Sequence, residues 1–304
     1  MRIGVAATPA IAIPTLEWLR DSAHELALVI TRPDQPSGRG REVHASAVGQ
    51  WAEQNNVPVI KPTAPSDMAA SLTDVDIVIT IAYGVLLPIE IITLPKHGFI
   101  NLHFSLLPHW RGAAPVPRSI LNGDALSGVT VFALDAGMDT GPIYIQREIP
   151  IGPDQNTGDV LATMALHGPD VIAQTLEMIS RGIVPTPQPQ DGFTLAPKIS
   201  KLEAQISWGN PSFLVDRHIR AFTPEPGAWT IWRGEKMTIS SAAVVDISFN
   251  APAGTIVIVD GSVFVTCANQ GAVKLEKVTP SGKREMPARA WINGARLREG
   301  ELFE

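Results

Sequence analysis

Short apolar runs alternate with amphipathic segments along the first two thirds of the chain. Each run is rich in valine and isoleucine and is bounded by proline, glycine, aspartate or asparagine, which is typical of buried strands. The predicted strands are residues 2–7, 25–31, 57–60, 76–83, 98–105, 128–134 and 143–149. The predicted helices are residues 14–22, 46–55, 115–122 and 157–180. This alternation predicts an α/β fold with an open, mostly parallel, Rossmann-like sheet and helices on both faces.

The pattern changes in the last third of the chain. After a helix-like run, the apolar and polar residues alternate in five closely spaced segments: 228–232, 236–245, 254–259, 262–267 and 272–278. Such a density of short strands favours a small β-barrel of the OB type. A proline-rich stretch precedes it and is typical of a linker. We therefore predict a first domain over residues 1–189, a linker over 190–204 and a barrel domain over 205–304.

Charge and cysteine content narrow the function classes. The formal net charge of −6 argues against a protein that simply coats nucleic acid. Residues 1–204 hold 13 basic and 20 acidic side chains, whereas residues 205–304 hold 11 and 10. The last third is thus less repulsive to a polyanion, although so small a difference also arises by chance. The single cysteine, Cys267, and the absence of any apolar run of about 18 residues predict a cytoplasmic chain without a membrane span.

Polar residues with catalytic chemistry occur near the end of the strand predicted over 98–105. Asn101 and His103 are two positions apart, so they face the same side of a strand. Open α/β sheets bind ligands at this end of their strands. An amide beside an imidazole can stabilise an oxyanion and handle a proton. Taken alone, the pair is more typical of a buried asparagine and histidine that bond each other or the backbone.

A segment rich in glycine and aspartate, residues 135–142, follows the next predicted strand. Its composition predicts a tight polar loop. A carboxylate in this loop could pair with His103 and set its charge. Asp135 and Asp139 are both candidates, and the pattern does not choose between them. An ordinary Asx turn is the alternative interpretation.

The segments NLHFSLLP, HWRGAAPVPRSILNGD and DAGMDTGPI together resemble the formyltetrahydrofolate-dependent transferase superfamily. This resemblance implies that Asn101, His103 and Asp139 are catalytic, that 10-formyltetrahydrofolate is the donor, and that no metal ion takes part. Phe104 departs from the pattern, because relatives usually have a small residue or proline there; we expect its side chain to point away from the catalytic pair. The implied folate-site residues are Ser105, Leu106, Leu107, Pro108, Ile81, Ala82, Tyr83 and Gly84.

Two further segments and the layout over about 300 residues resemble the methionyl-tRNA formyltransferase family. One segment is TRPDQPSGRGRE, and the other is IRAFTPEPGAW at the head of the predicted barrel domain. Ala7 departs from the family pattern, which usually has glycine there. We expect residues 33–43 to form a loop without helix or strand. The resemblance implies that Arg39 and Arg41 in this loop contact tRNA.

The resemblance also implies a mechanism. The amine of methionyl-initiator tRNA attacks the formyl carbon, Asn101 and a protonated His103 stabilise the oxyanion, and Asp139 keeps His103 charged. The protein is expected to act as a monomer in translation initiation. The alternatives are a sugar-nucleotide or glycinamide-ribotide formyltransferase, a formyltetrahydrofolate hydrolase, and a non-catalytic RNA-binding protein of the same fold. The arginine-containing loop and the barrel favour tRNA, and the intact catalytic residues argue against the non-catalytic alternative.

Overall fold

The computed structural model describes residues 1–37, 42–298 and 300–304. The chain forms two compact units made of interleaved stretches. The first unit is Met1–Pro115, Leu126–Pro150 and Leu161–Pro197, and the second is Val116–Ala125, Ile151–Val160 and Lys198–Glu304. The domain boundaries at residues 189 and 205 stay a prediction. Among the described residues, no helix has both the length and the apolar character of a membrane span.

The first unit is built on a seven-stranded sheet. In chain order, the strands of the first 150 residues are β1 (Arg2–Ala7), β2 (Glu25–Ile30), β3 (Gln35–Ser37), β4 (Glu42–His44), β5 (Val59–Ile60), β6 (Ile77–Ile81), β7 (Phe99–His103), β8 (Leu126–Ala133) and β9 (Ile143–Pro150). Seven of them form the main sheet in the order β5-β2-β1-β6-β7-β8-β9, and the other two, β3 and β4, form a separate two-stranded sheet. The five neighbouring strands β5, β2, β1, β6 and β7 run parallel to one another, whereas β8 and β9 are antiparallel to their neighbours.

Several helices begin where the sequence supplies a cap or a proline. In chain order they are α1 (Ile13–Asp21), α2 (Ala47–Gln54), α3 (Ala69–Leu72), α4 (Ile89–Ile92), α5 (Pro115–Asn122) and α6 (Thr157–Ser180). Ser46 caps α2, because its hydroxyl accepts a hydrogen bond from the Gly49 amide at 2.9 Å. Pro14 lies in the first turn of α1, where its missing N–H costs nothing.

The middle of the sheet is the core of the first unit. Every residue of β6 is buried, and so is every residue of β1 after Arg2. Such continuous apolar strands are typical of parallel sheets covered on both faces. Because β6 and β7 are parallel neighbours, their carboxyl ends meet at one edge, where Ile81 ends one strand and His103 ends the other.

The expectation of a loop without strands over residues 33–43 is wrong. β3 and β4 form an antiparallel ladder in which Gln35 lies opposite His44 and Pro36 opposite Val43. Proline is tolerated here because both strands are edges, so a missing N–H can face away from the partner. Arg39 and Arg41 lie outside the described residues.

The second unit contains an antiparallel half-barrel. Its elements are α7 (Ser212–Phe222), β10 (Trp229–Trp232), β11 (Glu235–Val245), β12 (Ile256–Val259), β13 (Ser262–Thr266), β14 (Ala272–Thr279), β15 (Met286–Pro287) and α8 (Ala288–Ala295). The strand order is β10-β11-β14-β13-β12, with β15 beside β14. The predicted fold class is confirmed, and β15 and α8 are additions that the apolar pattern did not predict.

Aromatic rings fill part of the half-barrel's core. Phe303 stacks on Trp208 at a centroid distance of 5.5 Å and on Trp291 at 6.0 Å. Both tryptophans are buried. Their contribution is therefore core packing rather than a surface for stacking bases.

Candidate active site

A cleft of about 460 Å³ lies at the carboxyl ends of β6 and β7. Asn101 and His103 contribute to its floor, and residues 82–87 form one wall. Gly112 and Asp139 come from two loops on the other side. The cleft lies entirely within the first unit, at the edge where open α/β sheets bind ligands.

Asn101 is placed by the regular register of the sheet. It is the third residue of β7, opposite Thr80 of β6 and Phe132 of β8. Asn101 is half-buried and lines the cleft. Within the described part of the chain, no group is bonded to its side-chain amide, so the amide is available to a ligand.

His103 is buried at the end of β7, and each of its ring nitrogens faces a neighbouring oxygen atom. Its Nε2 lies 3.0 Å from the carbonyl oxygen of Trp110. Since a carbonyl only accepts, Nε2 carries a proton in this arrangement. Its Nδ1 lies 3.7 Å from Oδ2 of Asp139. Nδ1 is therefore the ring atom that can take up a proton, and a carboxylate stands beside it.

Burial determines the charge of His103 before substrates bind. Burial lowers the pKa of the imidazole, while the Asp139 carboxylate and the Trp110 carbonyl raise it by less. The net pKa lies below the ordinary value, so His103 is neutral near pH 7 before substrates bind. Asp139 opposes the effect of burial but does not keep the resting imidazole charged. The protonated His103 that the resemblance implies for oxyanion stabilisation stays a prediction.

The loop between β8 and β9 brings Asp139, rather than Asp135, to His103. Asp139 has a left-handed backbone with φ of 55°, and its Oδ2 accepts a hydrogen bond from the Gly112 amide at 2.8 Å. Asp135 closes the loop on itself, because its Oδ1 accepts from the Gly137 amide at 3.0 Å and from the Thr140 hydroxyl at 2.7 Å. The Asx-turn interpretation therefore holds for Asp135, while Asp139 is free to serve His103.

A second loop supplies two backbone groups that residue types alone did not indicate. Trp110 offers its carbonyl to His103, and Gly112 offers its N–H to Asp139. Glycine is required at position 112: its φ is +126°, and a Cβ there would lie 2.6 Å from the carbonyl oxygen of Ala196. This close approach fixes the loop that orients both catalytic candidates.

The structure separates the predicted folate-site residues into two groups. Ala82, Tyr83 and Gly84 line the cleft, as does Phe104. Ile81 is fully buried, and neither it nor the turn from Ser105 to Pro108 is among the described residues that line the cleft.

The turn from Ser105 to Pro108 instead supports the loop that carries Trp110. The Ser105 hydroxyl donates to the His109 carbonyl at 2.6 Å. Thr130 of β8 donates its hydroxyl to the Ser105 carbonyl at 2.6 Å and accepts from the Leu107 amide at 3.2 Å. Ser105 and Leu107 are buried, whereas Leu106 and Pro108 are half-buried.

Among the described residues, no group of three or more histidine, cysteine, aspartate or glutamate side chains could hold an ion. The cleft has the character of an organic ligand site, with apolar walls that include Val85, Leu87 and Leu134 and a few converging polar groups.

Comparison with known proteins decides the family. The family model described as formyl transferase matches residues 1–176, and the model of the formyl transferase C-terminal domain matches residues 198–296. The chain belongs to the formyl transferase family. One relative in this family is the methionyl-tRNA formyltransferase of Salinispora arenicola, which is 42% identical over 100% of this chain and 100% of its own length.

Solved structures of other formyl transferases share the fold. WlaRD, a sugar 3N-formyl transferase crystallised in the presence of dTDP and 5-N-formyl-THF, has a TM-score of 0.70 and 20% identity over 93% of this chain and 99% of its own. The methionyl-tRNA formyltransferase from Clostridium thermocellum has a TM-score of 0.59 and 17% identity over 81% of this chain and 94% of its own. At these identities the likeness shows the fold and does not identify the acceptor.

Proposed function

We propose that this protein transfers the formyl group of 10-formyltetrahydrofolate to the amino group of methionyl-initiator tRNA, in support of translation initiation. The observation that carries the proposal is the 42% identity to a methionyl-tRNA formyltransferase over the full length of both chains. The cleft adds the chemistry, because an unbonded amide, a basic imidazole nitrogen and a carboxylate converge at one edge of the sheet.

The cleft fits a folate donor. Its volume of about 460 Å³ lies within the roughly 300–1,000 Å³ of ordinary small-molecule sites. The apolar wall of residues 82–87 suits the flat ring system of a folate, and the polar groups of Asn101 and His103 lie at the floor, where the formyl group would be held.

Each of the three side chains has a separate task in the transfer. As the amine nitrogen bonds to the formyl carbon, the Asn101 amide donates a hydrogen bond to the oxyanion that develops. Nδ1 of His103 accepts the proton that the attacking amine loses, while Nε2 stays bonded to the Trp110 carbonyl. Asp139, 3.7 Å away, stabilises the imidazolium that results. His103 then returns the proton to the folate nitrogen as its bond to the formyl carbon breaks.

An acceptor competition tests this proposal. Purified protein receives 10-formyltetrahydrofolate with methionyl-initiator tRNA, glycinamide ribotide, a nucleotide-linked amino sugar, or water alone. We expect formyl incorporation into methionyl-tRNA and background rates with the others. Faster transfer to an amino sugar or to glycinamide ribotide would contradict the proposed acceptor, and rapid donor loss in water alone would indicate a hydrolase.

We extend the proposal to the finer features of tRNA recognition and assembly. Residues 205–304 form the domain that binds tRNA, Arg39 and Arg41 contact it from the first domain, and the protein works as a cytoplasmic monomer. The less acidic last third of the chain supports the first of these points, because a polyanion meets less repulsion there. Sedimentation of the protein alone and with one equivalent of tRNA tests the monomer.

A further inference from the structure

Gln188 lies in the proline-rich segment after α6, and its side-chain amide makes four hydrogen bonds. Its Nε2 donates to the backbone carbonyls of Asp139 at 2.9 Å and Gly141 at 2.7 Å. Its Oε1 accepts from Arg111, from Nε at 3.1 Å and from Nη2 at 2.6 Å. One amide therefore joins the Asp139 loop to the loop that contains Trp110 and Gly112.

The segment around Gln188 is fastened to the first unit on both sides of that residue. Before it, Thr186 exchanges two backbone hydrogen bonds with Ile143 at the start of β9, at 2.7 and 2.8 Å. After it, Arg111 donates its amide to the Thr194 carbonyl at 2.9 Å and accepts from the Ala196 amide at 2.7 Å. Gln188 is thus presented by an anchored backbone rather than by a free linker.

The Asp139 loop needs this support because its backbone is strained. Asp139 has φ of 55°, a conformation that non-glycine residues keep only where the surroundings fix it. Gly141 is also constrained, because a Cβ there would lie 1.7 Å from the Ala133 carbonyl oxygen. Gln188 bonds the carbonyls of both residues, on either side of the turn.

The amide oxygen of Gln188 acts on the loop that contains Trp110 and Gly112, through Arg111. Arg111 stands between Trp110, whose carbonyl bonds His103, and Gly112, whose amide bonds Asp139. A shift of Arg111 would therefore move both backbone contacts of the His103–Asp139 pair. Gln188 is not among the described residues that line the cleft, so its hydrogen bonds act on the loops rather than on a ligand held there.

We propose that Gln188 is a positioning residue of formyl transfer, which sets the distance between Asp139 and His103 by tying together the two loops that hold them. The expected effect on the rate of formyl transfer rests on the proposed function. The expected effect on the position of the two loops rests on the hydrogen bonds of Gln188 alone. The segment that carries Gln188 is then part of the catalytic scaffold.

Three variants separate positioning from mere stabilisation. Gln188→Met keeps the side-chain length and removes all four hydrogen bonds. Gln188→Glu keeps acceptors for Arg111 but cannot donate to the two carbonyls. Gln190→Met is the matched control, since Gln190 is exposed and lies two positions further along the same segment. A single-turnover formylation assay gives the rate constant, and steady-state kinetics gives KM for both substrates.

We expect Gln188→Met and Gln188→Glu to lower the rate constant about tenfold or more, because the loops that carry Asp139 and Trp110 would no longer be tied together and the His103–Asp139 pair would lose its position. KM for folate and for methionyl-tRNA should stay within about twofold, because Gln188 is outside the cleft. Gln190→Met should match wild type. A wild-type rate constant in both Gln188 variants, or a loss confined to KM, would overturn the proposal.

Amide hydrogen exchange provides a second readout that needs no activity. In the folate-free protein, the amides of residues 137–141 should exchange faster in Gln188→Met than in wild type or Gln190→Met. Unchanged exchange would overturn the positioning role even if activity fell. If wild type did not formylate methionyl-tRNA, the proposed function would fail, and the exchange data would still decide whether Gln188 holds the loop.

Discussion

The two halves of the candidate site are placed by different means. Asn101 and His103 stand on β7, where hydrogen-bonded neighbours on both sides fix their register; Thr130 of β8 lies directly opposite His103. Asp139 stands on a loop with a left-handed backbone and depends on single hydrogen bonds from Gly112 and Gln188. The strand half is held by the core of the sheet, whereas the loop half is held by a few polar contacts.

This difference predicts how each half responds to mutation. Removing a side chain from β7 should remove its chemistry and leave the backbone in place, because the backbone hydrogen bonds of β7 to β6 and β8 remain. A substitution in the loop half alters the position of the Asp139 carboxylate as well as the chemistry. Its effect on the rate should therefore vary in size from one substitution to another.

The strand half should give the largest losses. His103→Ala removes the proton acceptor and should lower kcat by about 10²–10⁴-fold, and Asn101→Ala removes one oxyanion donor and should lower kcat by about 10²–10³-fold. Both variants should keep the wild-type circular dichroism spectrum and KM for folate. Transfer at a wild-type rate by either variant would show that the chemistry lies elsewhere.

The loop half should discriminate between its two aspartates. Asp139→Asn removes the charge that raises the pKa of His103, so that pKa should fall further and the acidic limb of the rate profile should move to lower pH. The rate should fall about a hundredfold as the imidazolium loses its partner. Asp135→Asn is the matched control and should cost only a few-fold, because Asp135 bonds within its own loop. The reverse ranking of the two variants would mean that the carboxylate is wrongly assigned.

The tRNA-binding role proposed for Arg39 and Arg41 should affect binding alone. The double variant with alanine at both positions should raise the apparent KM for methionyl-tRNA and leave folate binding unchanged. Its binding constant should depend less on salt, with a slope reduced by roughly 1 for each phosphate that no longer meets an arginine. Affinity measured across a salt series for both proteins checks this. If the two proteins had equal affinity and the same dependence on salt, residues 33–43 would be only a connection between neighbouring elements.

The burial of neutral His103 should also appear in stability. Its pKa is lowered in the folded protein, so the unfolded chain binds the proton more readily and stability is lost as the pH falls below about 6.5. His24 and His218, whose pKa values burial also lowers, act in the same direction. Urea unfolding at about pH 7.5 and about pH 5.5 should therefore show a smaller acid loss in His103→Gln, by up to about 1.4 kcal/mol per pH unit. Equal losses in both proteins would contradict a buried neutral imidazole.

The same division explains how much the sequence could predict. Two-residue spacing on a strand placed Asn101 and His103 together, and continuous apolar runs predicted the parallel sheet. The groups that orient them are a carbonyl of Trp110 and an amide of Gly112, and backbone atoms carry no signature of residue type. Gln188 was hidden in a segment whose prolines are typical of a linker, although tertiary hydrogen bonds anchor it.

Burial and edge effects account for what the sequence did not predict. The resting charge of His103 depends on how completely the ring is enclosed, which no local pattern reports. β3 and β4 form despite Pro36 because a two-stranded ribbon has only edge strands, where proline is tolerated.

A double-mutant cycle on single-turnover formylation of methionyl-initiator tRNA tests most directly whether His103 and Asp139 act together in formyl transfer. If His103 and Asp139 act as one unit in this transfer, wild type should formylate this tRNA, and the His103→Ala, Asp139→Asn double variant should be no slower than His103→Ala alone. Failure of the wild type to transfer the formyl group would contradict the proposed reaction. Losses that multiply in the double variant would contradict the pairing of the strand half with the loop half.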